Sequence, residues 1–387
     1  MSLRGATNIE HRYGCGSRVS GLNGVVGSIN SDEFRVLLIS PLPPPAGGIS
    51  TWSERFLDWA ADNRIAADIV NTAVIGDRRV NVTVKRNFVD EFRRTWVILR
   101  NLRVELRTHT PNVVHLNATC GGFGIFREYL CAALVYHKRV PLVVQYRFNV
   151  SNRISSKSRL YLFKGITLMA QAVIVLNAES GRYVKRVTGR ECWTAANFVD
   201  DDFVVVHPKD IAPEIHDVLF VGWVIMSKGV ETIFEVARSL PAVNFDLAGP
   251  ISGEALSLSK PDNVRMLGQV DHDMVRSLLD GADVFLLPSH TEGFSNALLE
   301  AMARGVPVIT TPVGNNAEMI EDSGGRLVRV GSAADILAAL DEMASQELRT
   351  QMSCWNVGKV RRTYTTEVQM RGILEIYHKA IAVHRLH

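Results

Sequence analysis

The segment from Val284 to Ile309 constrains the fold more than any other part of the chain. Val284–Leu287 is an apolar run that ends at Pro288, which predicts a buried parallel strand. Ser295 can cap a helix that ends at Gly305, and the apolar residues 306–309 predict the next strand. A strand, a helix and a strand in this order are typical of an α/β fold with a parallel sheet. Ligands bind such sheets at the carboxyl ends of the strands.

The same alternation continues on both sides of this segment and predicts two doubly wound parallel sheets. A chain of 387 residues is long enough for two domains. Further strands are predicted at residues 34–40, 112–117, 141–146, 173–176, 217–222, 244–248, 264–268 and 324–328.

Two acids lie around the predicted helix. Glu292 precedes it, and Glu300 lies inside it on the same face as Asn296, four residues earlier. The amides of Phe294, Ser295 and Asn296 point out of the helix N-terminus, where a diphosphate is favoured. Glu300 is then placed to accept hydrogen bonds from ribose hydroxyls, and Glu292 from a sugar. Each acid taken alone fits a solvated surface position as well.

The spacing of these residues resembles a known family. Glu292-Gly293-Phe294, followed by Glu300 after seven intervening residues, is similar to the E-x7-E signature of glycosyltransferase family 4. The segments 305–309 (GVPVI) and 312–314 (PVG) are similar to that family too. The resemblance implies a GT-B fold, in which two Rossmann-like domains face a cleft. It also implies a nucleotide-sugar donor and transfer with retention, with Glu300 on the donor ribose and Glu292 on the donor sugar.

Two glycine-containing turns extend the resemblance. Gly47 and Gly48 follow the first strand, where the family has a Gly-Gly loop near the donor phosphates and the acceptor; a tight turn without a ligand is the alternative. Gly222 and Lys228 match the family's phosphate site. Trp223 stands where an arginine is usual, so one of two cations is missing. A lysine at a helix start is poorly placed beside the dipole unless an anion lies nearby, which favours Lys228 as a diphosphate ligand.

Arg147 is a second departure, because it follows a predicted strand where the family often has histidine. Arginine cannot act as a base, but it can pair with a phosphate or an acidic acceptor. The three consecutive acids Asp200–Asp202 match the spacing of a D-x-D metal-binding motif. The family fold usually needs no metal, and an acidic linker is the preferred interpretation, so no metal site is predicted.

Composition excludes several other classes. The net charge of +3 and the lack of zinc-finger or basic-zipper patterns do not indicate nucleic-acid binding. The five cysteines show no metal spacing, which predicts reduced thiols in a cytoplasmic protein. No apolar run reaches the roughly 18 residues of a membrane span.

One predicted helix leaves two interpretations open. Residues 88–106 place Phe88, Phe92, Trp96, Leu99, Leu102 and Leu106 at helical spacing, with arginines from Arg93 to Arg107 largely off that stripe. A core helix with a solvated basic face is the first interpretation. The second is a surface that meets anionic lipid or a lipid-diphosphate acceptor, which would make the protein peripheral on the inner face of the cell membrane.

The sequence as a whole predicts a retaining, metal-independent glycosyltransferase. It would move a sugar from a nucleotide-diphosphate sugar to a glycan or lipid-linked acceptor, with Lys228, Glu292 and Arg147 as the catalytic candidates and no cofactor besides the donor. The predicted organisation is an extension at 1–33, an acceptor-side domain at 34–208, a nucleotide-sugar domain at 209–360 and a returning helix at 361–387. A nucleotide-sugar epimerase of the same fold and a non-catalytic nucleotide-sugar-binding protein remain alternatives.

Overall fold

The structure, a computed structural model, describes residues 34–43, 48–73, 88–207 and 209–386. The predicted extension at residues 1–33 lies outside these ranges. We call residues 34–207 the first half and residues 209–363 the second half, because each carries its own sheet.

The first half alternates strands and helices. Its strands are β1 (Arg35–Ser40), β2 (Ala66–Asn71), β3 (Val113–Ala118), β4 (Leu142–Tyr146), β5 (Ala172–Val175) and β6 (Trp193–Thr194). Its helices are α1 (Gly48–Asp62), α2 (Phe88–Thr108), α3 (Gly124–His137), α4 (Val150–Arg153), α5 (Lys157–Met169) and α6 (Ala178–Thr188).

The second half repeats the pattern. Its strands are β7 (Asp217–Val221), β8 (Asn244–Ala248), β9 (Val264–Gly268), β10 (Val284–Leu287), β11 (Val308–Thr310) and β12 (Gly325–Leu327). Its helices are α7 (Val230–Ser239), α8 (Gly253–Leu256), α9 (His272–Gly281), α10 (Asn296–Ala303), α11 (Asn316–Ile320), α12 (Ala333–Glu342) and α13 (Gln346–Thr363); a last helix, α14 (Thr366–Arg385), follows.

Both sheets are parallel and six-stranded. The strand order is β2-β1-β3-β4-β5-β6 in the first and β12-β11-β10-β7-β8-β9 in the second. The strand order reverses direction between β1 and β3 in the first sheet and between β7 and β10 in the second. The carboxyl ends of the strands on either side of such a reversal form the usual ligand crevice. The predicted α/β architecture of two doubly wound sheets is therefore confirmed.

The last helix joins the core of the first half. Met370, Ile373 and Tyr377 of α14 are buried in one cluster with Val36 and Phe56. On the opposite face of the first sheet, α2, α3 and α5 pack over Leu37, Ile39 and Val144. The first sheet is thus covered on one side by the final residues of the described chain.

The packing of α2 corrects the predicted apolar stripe. Ile98, Leu102 and Leu106 are buried as expected of a core helix, but Phe92 and Trp96 are 60% and 61% exposed. The buried row runs instead through Glu91 and Thr95. Glu91 can be buried because Arg127 of α3 pairs with it at 3.1 Å. The apolar side chains at the start of α2 therefore face outward together with its arginines. Among the described helices, none combines the length and the hydrophobicity needed to cross a bilayer.

Candidate functional site

The carboxyl ends of the two sheets enclose a cleft of about 470 Å³. Gly48, Arg147 and Asn197 line it from the first half, and Glu292 and Asn296 line it from the second. A second cleft of about 360 Å³ shares Gly48, Arg147, Asn197 and Asn296, and its own lining includes Arg55, Trp52, His272 and Glu300. The residues predicted from the loop at 292–296 thus lie where the two halves meet.

Hydrogen bonds between side chains and backbone join the halves across this cleft. Asn197 Nδ2 donates to Asn296 Oδ1 at 2.8 Å, and Asn177 Nδ2 donates to the Gly293 carbonyl at 3.3 Å. A Cβ on Gly293 would lie 3.5–3.9 Å from the backbone of Phe148 and Asn149, in ordinary van der Waals contact, so the two halves approach each other closely at this point. The sequence did not predict Asn197 or Asn177 as site residues, because their partners are far away along the chain.

Lys228 contacts Glu292 from behind the second-half wall: Glu292 lines the larger cleft, whereas Lys228 itself lines neither cleft. Lys228 ends a short 3-10 turn after β7, and its Nζ lies 2.5 Å from Glu292 Oε1. Ser289 Oγ donates to the same carboxylate oxygen at 2.9 Å. The Glu292 side chain is only 9% exposed, so the lysine neutralises a carboxylate that water cannot fully solvate. Lys228, predicted to bind the diphosphate, and Glu292, predicted to bind the sugar, are therefore in direct contact with each other.

Two glycines allow close backbone contacts next to Lys228 and Glu292. Gly229 has a φ of +78°, and a Cβ there would lie 2.3 Å from the Pro288 carbonyl oxygen. Gly314 has a φ of +59°, and its Cβ would lie 2.6 Å from the Glu292 carbonyl oxygen. Only glycine fits both the backbone conformation and the space at these positions.

Helix α10 begins as predicted. The Ser295 hydroxyl accepts a hydrogen bond from the Leu298 amide at 3.2 Å, which makes Ser295 the N-cap. Asn296 is the first helical residue and lines both clefts, and Phe294 lines the larger one. The helix N-terminus therefore opens toward the space between the halves, and its role in binding a diphosphate stays a prediction.

Glu300 lines the smaller cleft one turn after Asn296, so the two share a face as expected. Burial raises the pKa of the Glu300 carboxyl to about 7, and the positive charge of Arg55 opposes that shift. Arg55 itself pairs with Asp200 at 2.7 Å. Glu300 is therefore a carboxyl group whose ionisation falls close to neutral pH.

Arg147 is held by contacts on two sides. Its Nη2 donates to Asn197 Oδ1 at 2.8 Å, and its guanidinium lies 4.9 Å from the Trp52 ring centroid. Its Nη1 is buried and has no hydrogen-bond partner among the described residues. Burial lowers the pKa of Arg147 to about 9. The arginine thus keeps a donor for a ligand, and Trp52 and Asn197 position it.

A buried polar cluster lies behind Arg147. His115 Nδ1 forms a 2.6 Å hydrogen bond with the Tyr377 hydroxyl, and burial lowers the pKa of His115 to about 3. Within the described ranges, His115 Nε2 and both side-chain amide atoms of Gln145 make no hydrogen bond of normal geometry, although Asn117 and Gln145 lie close enough to His115 to oppose the lowering of its pKa. Such buried groups normally bind water or a ligand.

The remaining predicted site residues are more peripheral. Gly47 lies outside the described residues. Gly222, at the end of β7, lines neither cleft; its carbonyl oxygen would lie 2.0 Å from a Cβ on Gly249. Trp223 is 62% exposed and lines neither cleft.

Among the described residues, no group of candidate metal ligands lines the clefts. The only described group of side chains that could hold an ion comprises Asp68, Glu105 and His109, none of which lines them.

Residues 208–356 match the family model described as "Glycosyl transferases group 1". The second half is a group 1 glycosyltransferase domain. The matched residues contain Lys228, Glu292 and Glu300, the same residues on which the family resemblance was based.

Known proteins agree with this assignment. Over 135 aligned residues this chain is 32% identical to a 2-deoxystreptamine N-acetyl-D-glucosaminyltransferase of Niallia circulans. That alignment covers 32% of this chain, and the chain spans only about a third, 34%, of this relative's length.

Two solved structures share the fold over about nine-tenths of this chain. A sucrose-phosphate synthase from Thermosynechococcus elongatus superposes with a TM-score of 0.71 at 18% identity and covers 90% of this chain and 99% of its own. Anabaena HepE, solved in complex with UDP and glucose, gives a TM-score of 0.66 at 15% identity over 89% and 99%. Together with the two parallel sheets, these likenesses confirm the GT-B fold.

Proposed function

We propose that this protein is a retaining glycosyltransferase of polysaccharide or glycolipid biosynthesis. It transfers a sugar from a nucleotide-diphosphate sugar to a glycan or lipid-linked acceptor. The observation that carries the proposal is the contact between Lys228 and Glu292 just before the N-terminus of α10. Glu300 lies one helical turn inside α10, on the face that lines the smaller cleft. The group 1 match of residues 208–356 and the UDP and glucose in the HepE structure support the proposal.

The donor would lie along the second-half wall. Its diphosphate would meet Lys228 and the first amides of α10, because a helix N-terminus and a cation both favour negative charge. Its ribose would meet Glu300 in the smaller cleft. Its sugar would meet Glu292 in the larger one, within reach of Arg147 on the opposite wall.

The reaction needs no residue that attacks the sugar. The acceptor hydroxyl would bond to the anomeric carbon on the face from which the diphosphate departs, and its proton would pass to the departing phosphate oxygen. Negative charge then develops on the diphosphate, and Lys228 would stabilise it once the donor has drawn the lysine away from Glu292. Glu292, thus released, could accept hydrogen bonds from sugar hydroxyls. The proposal uses no metal and no cofactor.

The Glu300→Ala variant tests the donor position. If Glu300 binds the ribose, the variant should lose about 1.5–3 kcal/mol of affinity, as expected when a charged hydrogen-bond partner is removed. Calorimetry with UDP, GDP and ADP and with their sugars would identify the nucleotide and measure this loss. His272→Gln, which changes the same cleft without removing an acid, is the matched control. Unchanged nucleotide affinity in a folded Glu300→Ala protein would refute the ribose contact.

Product analysis tests the reaction class. Incubation with the donor alone should leave the sugar intact, and addition of an acceptor should give an α- or β-product that keeps the donor's anomeric configuration. An isomerised sugar without acceptor would indicate an epimerase. Binding without any turnover, across a broad panel of acceptors, would indicate a binding protein. Activity that survives chelation by EDTA is expected of a metal-independent transferase.

A further inference from the structure

We propose that the outer face of α2, together with the start of α3, binds the surface of an anionic lipid bilayer. The outer face consists of Phe92, Arg93, Trp96, Arg100, Arg103 and Arg107, all of which are exposed. At 100° per residue these six positions lie within about a third of the helix circumference.

The fold does not need this face. Helix α2 is anchored by Ile98, Leu102 and Leu106, which are buried in the first-half core. Arg94 donates to the Thr72 carbonyl from the flank of the helix. The outer face therefore carries two large aromatic side chains at 60% and 61% exposure that contribute little to the core.

The aromatic end of the face continues onto α3. The Phe92 ring meets Phe123 edge-on at 5.4 Å between centroids, and Phe123 meets Phe126 in the same way at 5.8 Å. Phe126 is itself 40% exposed. Aromatic side chains that remain in water as a contiguous group indicate an interaction surface.

Charge identifies the partner. Among the described residues, none of the four arginines of the outer face forms an ion pair, and Arg100 lies over the Trp96 ring at 5.8 Å. The acids of α2, namely Asp90, Glu91 and Glu105, lie off this arc. Unpaired arginines beside aromatic rings on a helix match the interface of a membrane that contains anionic lipid. A second copy of the same face would bring arginines against arginines, which argues against self-association.

The topology points the aromatic end toward the cleft. A helix that follows a parallel strand begins near the carboxyl edge of the sheet, so Phe92 at the start of α2 lies on the cleft side. The turn that carries Phe123 confirms this. A Cβ on Gly121 would lie 3.7 Å from Arg153 Nη1, and Arg153 lines the larger cleft. A bilayer bound at this face would therefore lie beside the first-half wall of the cleft. If the proposed function holds, the acceptor would come from that bilayer as a lipid-linked sugar or phosphate.

Vesicle co-sedimentation without any nucleotide tests the surface separately from the reaction. The full chain should pellet with phosphatidylcholine vesicles that contain phosphatidylglycerol, and should be released as ionic strength rises, since the Debye length falls from about 10 Å at 0.1 M salt to about 3 Å at 1 M. Because each arginine near such a surface contributes about a factor of five, Arg100→Gln with Arg103→Gln should lower the partition coefficient roughly 30-fold. Phe92→Ser with Trp96→Ser should lower it as well, even at low salt.

The control variant removes equal charge from the opposite face of the first sheet. Lys379→Gln with Arg385→Gln, both on exposed positions of α14, should leave vesicle binding unchanged. Absence of pelleting at low salt, or equal losses in the α14 control, would overturn the proposal. Light scattering that shows a dimer lost only in Phe92→Ser with Trp96→Ser would assign the face to a second copy instead. Nucleotide affinity should be unchanged in all these variants; failure of the proposed function would instead show as loss of nucleotide binding with vesicle binding intact.

Discussion

The two walls of the cleft are built differently. On the second-half wall, Lys228, Ser289 and Glu292 satisfy one another, and Gly229 and Gly314 press the loops against backbone. On the first-half wall, the buried Nη1 of Arg147 lacks a partner among the described residues, and the unpartnered atoms of His115 and Gln145 lie behind it and line neither cleft. A wall whose polar groups already pair with one another differs from one that keeps an unpartnered donor for a ligand. This contrast agrees with the proposed placement of the donor along the second-half wall and of the acceptor at the first-half wall.

The largest effect is expected at Lys228. Lys228→Ala should lower kcat about 100- to 1000-fold at saturating donor, as is typical when one electrostatic stabiliser of the transition state is removed. Stopped assays of product formation would measure it. Because the substitution also leaves the buried Glu292 carboxylate without its cation, urea unfolding of Lys228→Ala is needed to separate lost catalysis from lost stability. Near-normal turnover in the single variant would remove Lys228 from the mechanism.

The stability cost of replacing a glycine should differ between the two walls. Gly229→Ala combines a φ of +78° with a Cβ 2.3 Å from a carbonyl oxygen, so it should destabilise the fold by about 1–3 kcal/mol or more. At Gly48, on the first-half wall, the nearest atom to a Cβ is 3.7 Å away, so Gly48→Ala should change stability by less than about 0.5 kcal/mol. Urea unfolding of both variants would measure the difference. Equal losses would show that both walls are packed alike.

Glu300 predicts a dependence on pH. Its pKa of about 7 lies above the ordinary value, so the folded protein holds this proton more tightly than the unfolded chain does. Stability contributed in this way is present at low pH and is lost as pH rises through about 7. Binding of a nucleotide sugar should show the opposite trend and tighten from pH 6 to pH 8, because the ionised carboxylate is the better acceptor for ribose hydroxyls.

Titration calorimetry at several pH values, with a nucleotide sugar whose diphosphate does not titrate in this range, would measure the trend. Glu300→Gln should abolish it. Arg55 and His272 line the same cleft, so His272→Gln must retain the trend for the assignment to Glu300 to stand.

The smallest effect is expected at Trp223. Its indole is 62% exposed and lines neither cleft, so Trp223→Arg should tighten diphosphate binding slightly or leave it unchanged. A clear loss of affinity in a folded variant would mean that the indole packs against the bound donor. The second-half wall would then gain a contact, the Trp223 indole, only when the donor is bound.

The sequence predicted the second-half wall well because its determinants are local. The cap at Ser295, the shared face of Asn296 and Glu300 and the strand bounds at 244–248, 264–268 and 284–287 all depend on neighbours within one or two turns. The bonds across the cleft join residues 99 and 116 positions apart, as in Asn197 with Asn296 and Asn177 with Gly293. No local pattern marks such pairs.

The predicted apolar stripe of α2 was wrong at Phe92 and Trp96 for a different reason, although the helix itself and the burial of Leu102 and Leu106 agree with the prediction. Helical spacing allowed two adjacent rows of side chains to be the buried one, and hydrophobicity favoured the row with Phe92 and Trp96. The row that is buried contains Glu91 and Thr95, which the core tolerates because Arg127 pairs with Glu91 and the Thr95 hydroxyl donates to the Glu91 carbonyl. Partners on another helix decided the orientation, and periodicity alone does not contain that information.

Helix α14 has a consequence for how the protein forms in the cell. One side of the first-half core, which α1 covers in part, is incomplete until Met370, Ile373 and Tyr377 have packed against β1 and α1. During synthesis at about 5–20 residues per second, the second half is complete and free to fold while the first half still waits for these residues. The core of the first half can therefore be completed only after the second half has been synthesised, although the first half is translated first. The first half leaves the ribosome before the second half, and it would need a chaperone that shields its exposed apolar surface for the longer time.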